Sequence, residues 1–281
     1  MRQKFPGLRE SLFLAGVLLS AMMPLSAQDA AAPADGSGSL MVPAQRISPD
    51  AQAVVDKMTA ALQKLKVASI SAHGTRDEVL PFGYKVQNHE QATLTFQAPN
   101  KLRAEVTGDI RDRSFVYDGA NFVMYSADDN VYTQVKAPDT TVKLIERLLD
   151  AGVELPLIDV LYQGHEGTLL ENVQTGLLIG ESNVEGVDCD VLAFRQALID
   201  WQLWVQKSDS LPRKFAITTR YEMGQPQVEQ VLTWNLKPSI KADTFTFKAP
   251  EGSKAIPLAN SEAIGIHHCK LYRQPPFLKS S

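Results

Sequence analysis

Two cysteines are all that the 281 residues contain, Cys189 inside an alternating apolar-polar segment and Cys269 near the C-terminal end. That scarcity excludes a disulfide-stapled scaffold. One bridge between them stays open, with an unpaired buried thiol the preferred reading, because Cys is among the most buried residue types. Stability has to come from a hydrophobic core. Histidine is nearly as scarce. His73, His89 and His165 stand alone, and His267-His268 beside Cys269 has no further ligands at the spacing of a tetrahedral site, so no metal and no other cofactor is expected. A Gly-rich phosphate loop, a Gly-x-Ser-x-Gly elbow and a cysteine with a recognisable histidine partner are all missing, and the acidic pair Asp128-Asp129 sits in a turn where solvation explains it. The sequence therefore points away from an enzyme, although distant residues can assemble a triad.

One long apolar run stands out, "LFLAGVLLSAMMPL", preceded by Arg2, Lys4 and Arg9 and followed by the small residues Ser26 and Ala27. This pattern predicts a cleaved secretory signal peptide over residues 1–27 and a periplasmic destination. The run is short of the roughly 20 residues a membrane span needs, and Pro24 interrupts its end, so no integral membrane segment is expected after cleavage. No cysteine follows it to carry a lipid. Removing the leader, with its three bases against Glu10, takes the formal charge from −4 to −6. An acidic chain of this kind is not expected to bind nucleic acid or anionic membrane surfaces.

What remains is 44% hydrophobic and 21% charged over the whole chain, a balance that suits one or two folded domains with a sizeable core. Residues 28–47 are rich in Ala, Pro and Gly without a period and read as a flexible linker. From Ser48-Pro49-Asp50, a good start signal, Val54, Val55, Met58, Ala61, Leu62 and Leu65 recur at helical spacing, which predicts an amphipathic helix over 49–65. The period then becomes two. Strands are expected at 69–80, 84–97, 101–107, 113–118, 121–126 and 130–135, and again at 176–183, 187–196, 200–207, 211–222, 226–235 and 243–248, with short polar turns that make neighbours antiparallel. Between the two groups lies a helical insert over about 139–163, its first helix capped by Asp139 and ended by Gly152, its second starting at Pro156. Residues 259–281 have no sustained period and read as a disordered tail. The fold class is α+β, mainly β: a dozen antiparallel strands in one large sheet, which must curl and leave a concave side for the helices to cover.

Three stretches carry a resemblance: "FQAPNKLRAEV", "FVYDGANFVMYSADDNVYTQVKAP" and "CDVLAFRQALIDWQLWVQKSDSLPRKFAITTR" followed by "PQVEQVLTWN". They resemble a bacterial family of predicted periplasmic proteins that is similar to the LolA and LolB lipoprotein carriers, over about residues 48–258. The resemblance implies an unclosed half-barrel with helices in its concavity and a lid over an apolar pocket. It also implies an acyl chain, lipid or lipoprotein as ligand. The carriers place a lid-holding arginine directly before the proline of "PNKLR"; this chain has Ala98 there, so that lock is not carried over.

On that frame the candidate cavity residues are Leu94, Phe96, Phe115, Tyr117, Phe122 and Met124 from the first group of strands. Trp201, Leu203, Val205, Phe215 and Ile217 join them from the second. Plain core packing is the competing reading for each one. Leu157, Ile158, Leu161 and Tyr162, in a stretch with almost no polar side, are the lid candidates, or else a permanent plug. Trp204 alternates with Trp201 and should face the other side, as an anchor for a protein partner or packed under the N-terminal helix. Two functions follow: an exported carrier of an apolar ligand, or an envelope interaction or sensor module with a plugged cavity and a protein partner.

Overall fold

The computed structural model describes residues 46–257 except Gly152, Glu154 and Pro156, all within a unit spanning Pro43–Ser281. The signal peptide, residues 28–45 of the linker, the tail from 259 and the helix boundaries placed at Gly152 and Pro156 lie outside the described residues. So do His267, His268 and Cys269.

The chain enters through β1 (Arg46–Ile47) and α1 (Pro49–Gln63). Ser48 caps α1 as its side chain accepts from Ala51 N at 3.2 Å, and Pro49 occupies the first turn, where a missing N–H costs nothing. Six strands follow: β2 (Val67–Val79), β3 (Lys85–Gln97), β4 (Lys101–Gly108), β5 (Arg113–Tyr117), β6 (Asn121–Ser126) and β7 (Val131–Lys136). Then come α2 (Thr141–Asp150) and α3 (Ile158–Glu166). The second group is β8 (Thr175–Val184), β9 (Val187–Arg195), β10 (Ile199–Gln206), β11 (Pro212–Thr219) and β12 (Gln227–Asn235), with β13 (Lys254–Ala255) last.

All thirteen strands form one sheet in the order β1-β8-β9-β10-β11-β12-β2-β3-β4-β5-β6-β7-β13. The two groups join where β12 runs antiparallel to β2, from Val228 opposite Arg76 to Asn235 opposite Ser69. Only the two-residue edge strands, β1 on β8 and β13 on β7, are parallel. The order is linear, so the sheet is unclosed. It is also strongly curled. Laid flat, thirteen strands would span roughly 58 Å at the usual strand spacing. Yet one buried cluster gathers side chains from β2 to β6, from β9 to β12 and from all three helices. The buried face of the sheet is therefore concave, with α1, α2 and α3 against it.

Three sequence expectations change. Arg46 and Ile47, placed in the linker, pair with Thr175 and Gly176 of β8, an interaction that a two-residue strand cannot announce by periodicity. The alternating segment 243–248 is not a strand. Lys241 and Thr244 bond to each other reciprocally and Thr246 N bonds Asp243 O, so the backbone turns, while Phe247 packs at a tilt against Tyr125 and Tyr132 with ring centroids 6.1 and 5.2 Å away. The segment is a strap across β6 and β7. Finally, Asp139 does not cap α2. Its carboxylate accepts from Lys143 Nζ at 2.9 Å, and Thr140 Oγ1 takes the capping role by accepting from Lys143 N.

Candidate ligand-binding site

Alternation decides what faces the hollow. In β10, Trp201, Leu203 and Val205 point into the core, opposite Phe194 and Leu192 of β9 and Ile217 and Phe215 of β11. In β3 to β6 the same side carries Leu94, Ala104, Phe115 and Met124 across four strands, with Leu102, Tyr117 and Phe122 in the neighbouring row. Ten of the eleven candidate lining residues thus meet in one cluster: all but Phe96, which is half-buried near the end of β3. Phe194 stacks on Trp201 with centroids 4.1 Å apart, and Phe115 on Phe122 at 6.3 Å.

Over this lining lies a cover built from α2, α3 and the connection between them. Leu144, Ile145, Leu148, Val153, Leu155, Leu157 and Ile158 are buried in the same cluster, and Tyr162 packs against it half-buried. The side chain of Leu161, the fourth lid candidate, is outside the described residues. α3 rests on α1 where Gly164 leaves room; a methyl group there would come within 2.8 Å of Leu62 Cδ1. With the cover down the lining is occupied by protein. At the β5–β7 end, a crevice of about 10 Å³, room for roughly one water, lies among Arg113, Met124, Ser126, Val131, Tyr132, Thr133 and Ile256.

The cover is tied down by polar bonds at its margins. Thr141 donates both its N–H (2.8 Å) and its Oγ1–H (3.1 Å) to the carbonyl of Pro99. Arg147 donates to the Lys136 carbonyl at 2.9 Å, Gln63 to the His165 carbonyl at 2.9 Å, and Tyr162 to the Glu146 carboxylate at 3.1 Å. Burial, the Glu146 hydrogen bond and the surrounding carboxylates push the Tyr162 phenol up to about 12. Tyr117 bonds the Pro138 carbonyl at 2.6 Å just before α2, and its phenol is raised by burial and then by Asp139 and Asp118. The acceptor for Thr141 is the backbone carbonyl of Pro99, directly after Ala98. A backbone acceptor leaves no trace in side-chain sequence.

Further along β2 the concave face changes character. Ala68, Ile70 and Ala72 give way to Gly74 and Arg76, and across the sheet Asn88, Glu90 and Gln230 stand beside them. Gln230, 5% exposed, donates Nε2–H to Glu90 at 2.9 Å over Gly74, and the Arg76 guanidinium lies 3.9 Å from the same carboxylate. Gly74 and Gly108 flank Glu90 on both sides. Sequence reading missed this polar group, although the run Ala-Ile-Ala-Gly-Arg at every second position of β2 carried the signal.

On the opposite, convex face Trp204 packs half-buried beside a small second cluster of Val184, Cys189 and Val231, with Lys214 Nζ 4.9 Å above its ring. It is not under α1, whose apolar side belongs to the concave cluster. Cys189 is a buried thiol, free among the described residues, with its pKa raised by desolvation. Arg213 bonds the Leu232 carbonyl, Thr233 and Glu185 there, and Glu185 also meets His73 at 2.9 Å. His89 and His165 likewise contact single carboxylates, Asp109 and Glu166.

Residues 51–259 match the family model described as "Predicted periplasmic protein (DUF2092)". The chain belongs to this family. Its periplasmic assignment agrees with the exported destination expected from the leader. No curated protein matches the chain. Among solved structures it is similar to LprF from Mycobacterium bovis (15% identity, TM-score 0.45, covering 69% of this chain and 97% of that one). It is also similar to the lipoprotein LppX from Mycobacterium tuberculosis (14% identity, TM-score 0.44, 69% and 100%). A third is the Pseudomonas aeruginosa MucA/MucB complex (17% identity, TM-score 0.41, 71% and 62%). For this family member the unclosed sheet itself defines the fold.

Proposed function

We propose that this periplasmic protein is a non-catalytic carrier or chaperone-like binder that sequesters an apolar ligand, an acyl chain, lipid or lipoprotein, against the concave face. The observation that carries the reading is the contrast between lining and cover. The lining is a continuous apolar surface drawn from both groups of strands, whereas the cover is two short helices held at their margins by a few partly exposed hydrogen bonds. Such bonds contribute about 1 kcal/mol each. Lifting the cover also exposes its seven buried apolar side chains from Leu144 to Ile158, and an acyl chain that packs between lining and cover offsets that loss at about 0.8 kcal/mol for each methylene moved out of water. Among the described residues no helix is long and apolar enough to cross a membrane, which suits a shuttling binder. Lipid extraction of protein purified from the periplasm is expected to release acyl ligands, and a fluorescent fatty acid should be taken up. Repeated recovery of empty protein together with no uptake would overturn the reading.

A second reading is favoured by the packing of the closed state, in which buried side chains from α1 to α3 occupy the hollow. The protein would then be an envelope interaction or sensor module with a permanent plug. In that case in-cell crosslinking should trap a defined partner through the convex face, and Trp204→Ala should abolish the crosslink in a folded protein.

A further inference from the structure

On the concave face one cross-strand row is amphipathic from end to end. Trp201, Ile217, Val228, Arg76 and Asn88 are successive partners on β10, β11, β12, β2 and β3. The adjoining row runs Leu203, Phe215, Gln230, Gly74, Glu90, Gly108 over the same strands and onto β4. Both rows are apolar on the β10–β11 side and turn polar at β12–β3. The strand spacing puts Trp201 and Arg76 about 14 Å apart along the sheet.

The polar end is half-buried around a buried Gln230 and incompletely satisfied. The Arg76 and Glu90 side chains are 25% and 13% exposed, and Gln230 is more buried still. Because Gln230 gives its Nε2–H to Glu90, its Oε1 must point the other way, and that oxygen has no hydrogen-bond partner. Asn88 Nδ2 and, along the row, Trp201 Nε1 are donors in the same condition, and Arg76 Nε, 3.9 Å from the Glu90 carboxylate, makes no hydrogen bond either. Buried polar groups left so are costly, and in native proteins they are normally paired. Charge fixes what would pair with them. Arg76 and Glu90 neutralise each other, and a second carboxylate would face Glu90 in a poorly solvated site, where like charges repel. The unmet demand is an oxygen that accepts from Arg76 and Asn88 and a hydrogen that Gln230 can accept.

We propose that Arg76, Asn88 and Gln230 form a head-group subsite for an uncharged, hydroxyl- or amide-bearing acyl lipid, whose tail lies over Val228, Ile217 and Trp201. The inference rests on the apolar-binding reading and narrows its ligand class. Gly74 serves the subsite by leaving the strand between Gln230 and Glu90 free of a side chain, so that Gln230 can reach over it.

The test is calorimetric titration of the full mature protein with monodecanoylglycerol, decanoate and decane, repeated on Asn88→Leu and Gln230→Met, with circular dichroism confirming that each variant folds. Monodecanoylglycerol should bind wild type at least tenfold more tightly than either other probe, and each substitution should weaken it about tenfold while leaving decane unchanged, as expected for one lost hydrogen bond. Equal affinity for all three probes, or variants indistinguishable from wild type, would overturn the subsite and leave apolar binding standing. Tightest binding of decanoate would overturn the neutral-head assignment. Binding of none of the probes would sink the apolar-binding reading and this inference with it. If one variant does not fold, the other variant and the wild-type ranking still decide.

Discussion

At Gly74 the sheet tolerates no side chain: a Cβ would stand 1.9 Å from the Glu229 carbonyl oxygen and 2.8 Å from Gln230 Cα, both backbone atoms that cannot swing away. Gly74→Ala should therefore destabilise the fold by more than about 2 kcal/mol, seen as a lower urea midpoint, because the β12–β2 joint has to shift. At the other extreme of consequence is Asp200. The Arg195 guanidinium holds its carboxylate, at 2.7 Å on both oxygens, and keeps its pKa below the ordinary value. A depressed folded pKa gives stability that is present above the unfolded value near 3.8 and lost as pH falls through the folded one. The advantage of wild type over Asp200→Asn should thus be present at neutral pH, small at under about 1 kcal/mol because both groups are more than a third exposed, and gone in strong acid. Thermal melts from pH 7 to 2 read this directly. At this scale the division of labour between Trp201 and Trp204 was legible, because strand alternation alone assigns opposite faces. The Pro99 carbonyl that holds the cover was not, because every residue has a carbonyl and only the fold chooses one.

The elements differ in how much of themselves the sequence displays. α1 shows everything: a cap, a proline in the first turn and an unbroken apolar stripe. Ser48→Ala should cost about 1 kcal/mol of stability in denaturant melts, since Ala51 N loses its partner. The long strands also declared themselves within one to three residues, because one face is buried and the other wet. The insert was harder. Its stretch from Leu155 to Tyr162 has almost no polar side, so periodicity could not place the start of α3, and the structure begins it at Ile158 after Leu157 in a left-handed conformation, φ 64°. The strap at 243–248 misled for the opposite reason: its alternation is real, but it packs aromatics across the sheet instead of joining the ladder. For the cover, the raised phenol of Tyr162 gives a sign. A folded pKa above the unfolded value near 10 contributes stability that is fully present below pH 10 and lost as pH rises through about 12. Protection of 141–166 against hydrogen exchange, taken relative to the intrinsic base-catalysed rate at each pH, should fall over that window in wild type. Tyr162→Phe, which lacks the bond to Glu146, should show faster exchange already at neutral pH and no such step.

For the molecule as a whole, the sheet and its curl follow from a count of strands and one apolar face, so the architecture was readable before any coordinates. The ends of the hollow were not. Whether apolar residues on a concave face line a cavity or fill a core depends on what covers them and how firmly, and the firmness resides in the buried side chains of α2, α3 and their connection together with a handful of bonds at the margins. The polar row around Glu90 escaped because its members come from β2, β3 and β12, more than a hundred residues apart at the extreme, and only the register brings them together. Carriage as proposed requires that the cover lifts and an acyl chain packs beneath it against Trp201. The most direct measurement is titration of the mature protein with a fatty acid whose fluorophore quenches tryptophan, in wild type and Trp201→Phe. Saturable uptake with quenching is expected in wild type, and uptake with clearly reduced quenching in the variant, the remainder coming from Trp234 beside the same cluster. No uptake by either protein, or quenching that persists undiminished without Trp201, would contradict it.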